Sequence, residues 1–147
     1  TVAGHPCHAY SRDEGKTWTK TAFMTYGPGG PLVNHPRAAN FVRKLTEGPY
    51  KGRYIYWFHN NKTKGWGGRN PAYLLGGTEV DGPGGKHIQW GEPVAVLYDR
   101  NPETRISYPD FIWDDGLYIT ETQKLIARVH RIPDELLRSL WDQAKAE

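Results

Sequence analysis

Short runs of aromatic and β-branched residues, set apart by clusters of Gly, Pro, Asn and Asp, most constrain what this chain can become. "RAANFVRKL", "RYIYWFHN", "PAYLLGGTEV" and "LYITET" are typical runs; "TEGPYKG", "DGPGGK" and "WDDG" are typical breaks. That alternation predicts short strands joined by tight turns, hence an all-β sandwich, barrel or propeller. Seventeen glycines and eleven prolines serve the turns, and six tryptophans and nine tyrosines supply the core of a 147-residue domain. Only the end changes period. "PDELLRSLWDQAKAE" opens on Pro133 and acidic residues and sets Leu136, Leu137, Leu140, Trp141 and Ala144 on one face. An amphipathic helix is therefore predicted over 133–147, following a β region over 1–132.

Composition excludes several classes. The lone Cys7 rules out an internal disulfide framework. A dispersed net charge of +3 argues against a nucleic-acid partner. No apolar stretch approaches the roughly 20 residues of a membrane-spanning helix. His35 and His59 lack metal-site spacing and are expected to bond substrate hydroxyls or backbone, so neither a metal nor a cofactor is expected. No signal peptide is visible, and the opening "TVAGHPCHAY" lacks a methionine, so a preceding portion is expected.

The strands repeat in fours. One unit ends with "AYSRD" and "TWTKTAF". The next runs "RAANFVRKL", "RYIYWFHN", "PAYLLGGTEV", "IQWGEPVAVLY", and the third "YPDFIW", "LYITET", "KLIARVHRI". Four-stranded repeats point to propeller blades, since one blade cannot bury both of its faces alone. About two and a half to three blades are present, against the four to eight that close a ring. Missing amino-terminal blades or a second copy of the chain would complete it.

One loop is more specific. Ser11-x-Asp13-x-Gly15-x-Thr17-Trp18 reads as a hairpin in which Asp13 accepts turn amides, Gly15 takes a positive φ and Trp18 packs between blades. This pattern resembles the Asp box, or BNR repeat, of sialidase-like propellers, a structural device remote from the active face. "RNPAYLLGG", "HIQWGEPVAVLYD" and "RISYPDFIWDDGLYITETQKLIARVHRIP" resemble the carboxy-terminal blades of bacterial proteins of that superfamily. The resemblance implies a six-bladed propeller and a glycan partner, and it favours an extracellular or periplasmic location.

Up-and-down topology sorts the loops. One rim receives "VNHPRAAN", "FHNNKTKGWGGRN", "DRNPETRISYPD" and "ITETQK", carrying His35, Arg37, Asn40, His59, Asn60, Arg69, Asn70, Arg105, Tyr108, Asp110, Glu121 and Lys124. The other receives turns made mostly of Gly, Asp and Lys. Functional side chains on loops of a stiff scaffold are the usual arrangement. Arg37, Arg69 and Arg105 precede strands on successive loops of the first rim, and a guanidinium offers a planar fork to a carboxylate. The resemblance implies that they form part of a clamp for an acidic sugar, with His35, His59, Asn60 and Lys124 also at the substrate. It implies that Tyr108 attacks the anomeric carbon and that Glu121 orients an arginine, in the manner of retaining sialidases. Pro109 and Asp110 depart from the family pattern, and Asp110 is a second candidate for the chemistry. Trp57, Trp66 and Tyr73 are candidate sugar-stacking faces.

The expected function is hydrolysis of a terminal, acidic sugar. The family's acid/base aspartate lies in an early blade, so this chain alone is expected to have little activity. The alternatives are a non-catalytic glycan-binding propeller and a propeller glycosidase using paired carboxylates.

Overall fold

The computed structural model describes residues 1–65, 67–123 and 125–143. The chain is all-β apart from one short helix, and every strand pairing is antiparallel. β1 (Cys7–His8) and β2 (Ala22–Phe23) form a small hairpin around the Ser11–Trp18 loop. β3 (Phe41–Lys44), β4 (Tyr54–Phe58), β5 (Ala72–Val80) and β6 (His87–Trp90) follow as a meander in sheet order β3-β4-β5-β6. β7 (Val94–Leu97) returns to the other half of β5, so β6 and β7 act as one edge strand broken at Gly91, Glu92 and Pro93. β8 (Ser107–Trp113), β9 (Leu117–Gln123) and β10 (Ile126–Arg131) make a third sheet, ordered β10-β9-β8.

The middle sheet is apolar on both faces, and this sets the layering. Ile55, Trp57, Ala72 and Leu74 face Ile106, Phe111, Leu117 and Ile119 of the third sheet. Tyr56, Phe58, Leu75 and Trp90 face Met24, Tyr26 and Val33 of the amino-terminal segment. β4 is buried at every residue after Tyr54, as a strand covered on both sides must be. The amino-terminal segment, the middle sheet and the third sheet thus form three layers. β3 and β8 also meet at one edge, where Arg43 donates to the Phe111 carbonyl at 2.8 Å.

The carboxy-terminal helix is shorter than its periodicity predicts. α1 spans Asp134–Ser139, and residues 144–147, with Ala144, lie outside the described residues. After Ser139 the chain is drawn onto the middle sheet instead. The Trp141 ring stacks on Tyr50 at 4.7 Å and donates to the Gly77 carbonyl at 3.2 Å. The Gln143 amide brackets Glu92, accepting from its N–H and donating to its carbonyl. Leu140 sits so close to β5 that a Cβ on Gly76 would come 2.3 Å from its carbonyl oxygen.

The Ser11–Trp18 loop has the expected hydrogen bonds. Asp13 accepts from the Thr17 amide at 2.9 Å and the Thr17 hydroxyl at 2.7 Å, which hold its carboxyl below the usual range, and Ser11 accepts from the Gly15 amide at 2.7 Å. Gly15 takes φ +87°. The expectation for Trp18 is corrected: its side chain is 64% exposed rather than packed between layers. Its indole donates to the Gly15 carbonyl at 3.1 Å, so the ring folds over its own turn.

Gly76→Val is expected to lower stability by about 2 kcal/mol or more, because the added side chain displaces the Leu140–Trp141 segment. Urea unfolding followed by near-ultraviolet circular dichroism of the tryptophans checks both the loss and its origin.

Candidate functional site

Loops 33–40, 59–71 and 98–106 meet at one end of the stacked sheets, and backbone chemistry splices them. His35 donates from Nε2 to the Ala38 carbonyl at 3.1 Å, leaving Nδ1 to accept the His59 amide at 3.2 Å. His59 in turn donates from Nδ1 to the Pro71 carbonyl at 3.1 Å. The two rings stack at 5.8 Å and 14°. Asn61 closes loop 59–69 on itself, donating to His59 O and Gly68 O at 2.8 Å each. Asn70 exchanges hydrogen bonds with the backbone of Asp99, and Arg69 O accepts the Ile106 amide at 3.1 Å.

Of the two expectations for His35 and His59, substrate hydroxyls or backbone, the hydrogen bonds follow the second, and both rings splice loops. Both are buried, and their hydrogen bonds go to backbone. Burial pushes the His59 pKa down to about 4, and the nearby Arg69 charge acts in the same direction. Burial likewise lowers His35. Both imidazoles are thus neutral near pH 7, as the acceptor role of His35 Nδ1 requires. Asn60 is half-buried and accepts from the Tyr26 hydroxyl.

Arg69 and Tyr108 are brought together. Arg69 is 8% exposed, and its Nη1 donates to the Ser107 hydroxyl at 3.2 Å. Its guanidinium lies 6.0 Å from the centre of the Tyr108 ring. Tyr108 is 64% exposed and adopts φ +52° at an irregularity between Ser107 and Asp110, where the register with β9 slips. Pro109 explains the slip, since it has no N–H to give to β9. A left-handed conformation at an aromatic residue costs roughly 1–2 kcal/mol, and such strain concentrates at functional positions.

The other candidates disperse. Asp110 forms an ion pair with Arg43 at 2.8 Å, at the meeting of β3 and β8. Arg37 is exposed beside His35 on a separate cleft, and Arg105 is exposed on loop 98–106. Trp57 is corrected from a sugar-stacking face to a core residue, being wholly buried. Tyr73 is half-buried against Phe58. Trp66 and Lys124 lie outside the described residues.

Glu121 is fully buried and orients an arginine, Arg128, that the sequence reading did not single out. The same oxygen meets His130 Nε2 at 3.1 Å, while Arg128 also reaches Asp99 at 3.2 Å. The Asn101 amide and Arg128 hold the Asp99 carboxyl below its ordinary range. The missed signal was the hairpin register: pairing Gln123 with Ile126 sets Arg128 opposite Glu121. Counting back from "TQKLI" would have found it.

Because His59 is neutral when folded, its contribution should be full above pH 6.5 and fade as pH falls from 6.5 to about 4. Below 6.5 the unfolded chain takes up a proton that the folded chain refuses, which costs about 3 kcal/mol by pH 4. Urea midpoints between pH 7 and pH 4 should show this slope. His59→Asn should flatten it.

Comparison of the chain with protein-family models, with curated proteins and with solved structures gives no match. The chemistry of this rim is therefore read from its own geometry.

Proposed function

We propose that the chain supplies blades of a sialidase-like propeller and that its loop-bearing rim takes the terminal acidic sugar of a glycan for hydrolysis. The observation that carries this reading is the strained, exposed Tyr108 held against the nearly buried Arg69 guanidinium. An arginine sheltered from water binds a carboxylate more strongly than one in solution, and it discriminates by planar geometry. A phenol beside it can approach an anionic sugar without the repulsion that a carboxylate nucleophile would meet.

The layering supports the propeller reading. The middle sheet is covered by the amino-terminal segment on one face and by the third sheet on the other, with β3 and β8 in contact. The outer face of the third sheet still presents Ile112, 47% exposed, and Val129, 65% exposed. A further blade would cover them.

One observation favours a second reading, a glycan-binding propeller without catalysis. Asp110 is committed to Arg43, and Glu121 to Arg128, so each carboxylate has a cationic partner of its own. The same commitments weigh against a paired-carboxylate glycosidase.

Calorimetric titration with N-acetylneuraminic acid and glucuronic acid, against their methyl esters, tests the binding. The free acids should bind and the esters should not, with Arg69→Gln weakening the acids roughly tenfold or more. In the full-length protein, Tyr108→Phe should cut turnover of aryl glycosides by roughly 100-fold or more while sparing affinity. Binding without turnover establishes the second reading. Equal affinity for acids and esters overturns both.

A further inference from the structure

A second polar feature adjoins the rim. Arg37, Lys62 and Lys64 line a cleft of about 390 Å³, walled also by His35, Pro36 and Gly4. No carboxylate is among the described residues that line it. Three cations around one concavity focus a positive potential there, which is unlike the mixed charges of an ordinary solvated surface.

The cleft is also ordered by its own loop. Asn61 accepts from the Thr63 amide at 2.9 Å and ties both ends of the loop through the His59 and Gly68 carbonyls. The Lys62 stem lies over Gly4, where a Cβ would come 3.0 Å from Lys62 Cγ. The lysines therefore project from a braced turn, which limits the ordering an anion bound there must impose on the backbone. His35 connects the two regions: the residue lines the cleft, and its ring stacks at 5.8 Å on His59. The Arg69 charge is near enough to act on both imidazoles.

We propose that this cleft is a second anion subsite, so that the ligand is an oligosaccharide carrying two acidic groups, one at Arg69 and another at Lys62 and Lys64. The inference rests on the rim reading above and extends it from a terminal acidic sugar to an anionic glycan chain. The second group is an oxyanion, either the carboxylate of another acidic sugar or a sulfate ester.

Titration with three probes separates these cases: glucuronic acid, an unsulfated uronate-bearing tetrasaccharide and its sulfated counterpart. Both tetrasaccharides should bind more tightly than the monosaccharide if a carboxylate suffices, and only the sulfated one if sulfate is required. Lys62→Gln/Lys64→Gln should weaken the tetrasaccharide about tenfold, as expected for two exposed ion pairs, and leave the monosaccharide unchanged. Lys16→Gln/Lys20→Gln removes the same charge from the exposed Ser11–Trp18 region and should change neither. Equal weakening by both double variants would mean bulk attraction and overturn the subsite. So would a tetrasaccharide that binds no better than glucuronic acid, even if Arg69-dependent binding of the monosaccharide persists. Tetrasaccharide binding through Lys62 and Lys64 without any monosaccharide binding would support the cleft while removing the rim reading.

Discussion

The burial of β4 and β5 on both faces is the constraint from which the rest follows. A strand such as "YIYWF" carries no polar face, so it must be covered on two sides, and the chain supplies a cover from each direction. The amino-terminal segment provides one layer and β8–β10 the other. Once both are in place, the loops at one end have few places to go. The His35–His59 stack and the Asn70–Asp99 exchange lock together segments that are distant in sequence. Arg69 acquires its sheltered position from this splice, since its flanking residues are tied to loop 98–106.

Polar groups on the rim fall into two kinds. Those inside the splice, His35, His59 and Asn60, make their hydrogen bonds to other groups of the protein. Those outside it, Tyr108, Arg37, Lys62 and Lys64, are left facing water by the same architecture. Glu121 is a third case. A buried carboxylate is tolerable only with a cation beside it, and Arg128 supplies that on the neighbouring strand, with His130 Nε2 meeting the same oxygen.

Much of this was legible in the residues. The strand succession and the hydrogen bonds of the Ser11–Trp18 turn follow from local chemistry that tertiary packing left unchanged, whereas "IQWGEPVAVLY", read as one strand, is broken at "GEP" into β6 and β7. Strand parity also brings loops 33–40, 59–71 and 98–106 to one end. What could not be read was which way a side chain points once there. His59 and Trp57 alternate on β4 and its extension, and both turn inward because the third sheet covers that face. Trp18 turns outward because its own turn offers a carbonyl acceptor. Asp110 was drawn to Arg43 across a strand contact that the sequence order conceals, since sixty-odd residues separate the pair. The helix was overextended for a related reason: its periodicity continues past Ser139, but Gly76 and Gly77 give the following residues a flat place to dock.

The bracketing of Glu92 by Gln143 has a consequence for self-association. A sheet margin with unused N–H and C=O groups recruits foreign strands. Along β6 and the break that follows it several of those groups are already engaged: the Tyr10 hydroxyl takes the Ile88 amide, Gly27 donates to the Trp90 carbonyl, and Gln143 holds both groups of Glu92. None of the three is itself a strand, so the sheet is capped there without being extended, and a second copy arriving at β6 would find fewer open backbone groups to pair with.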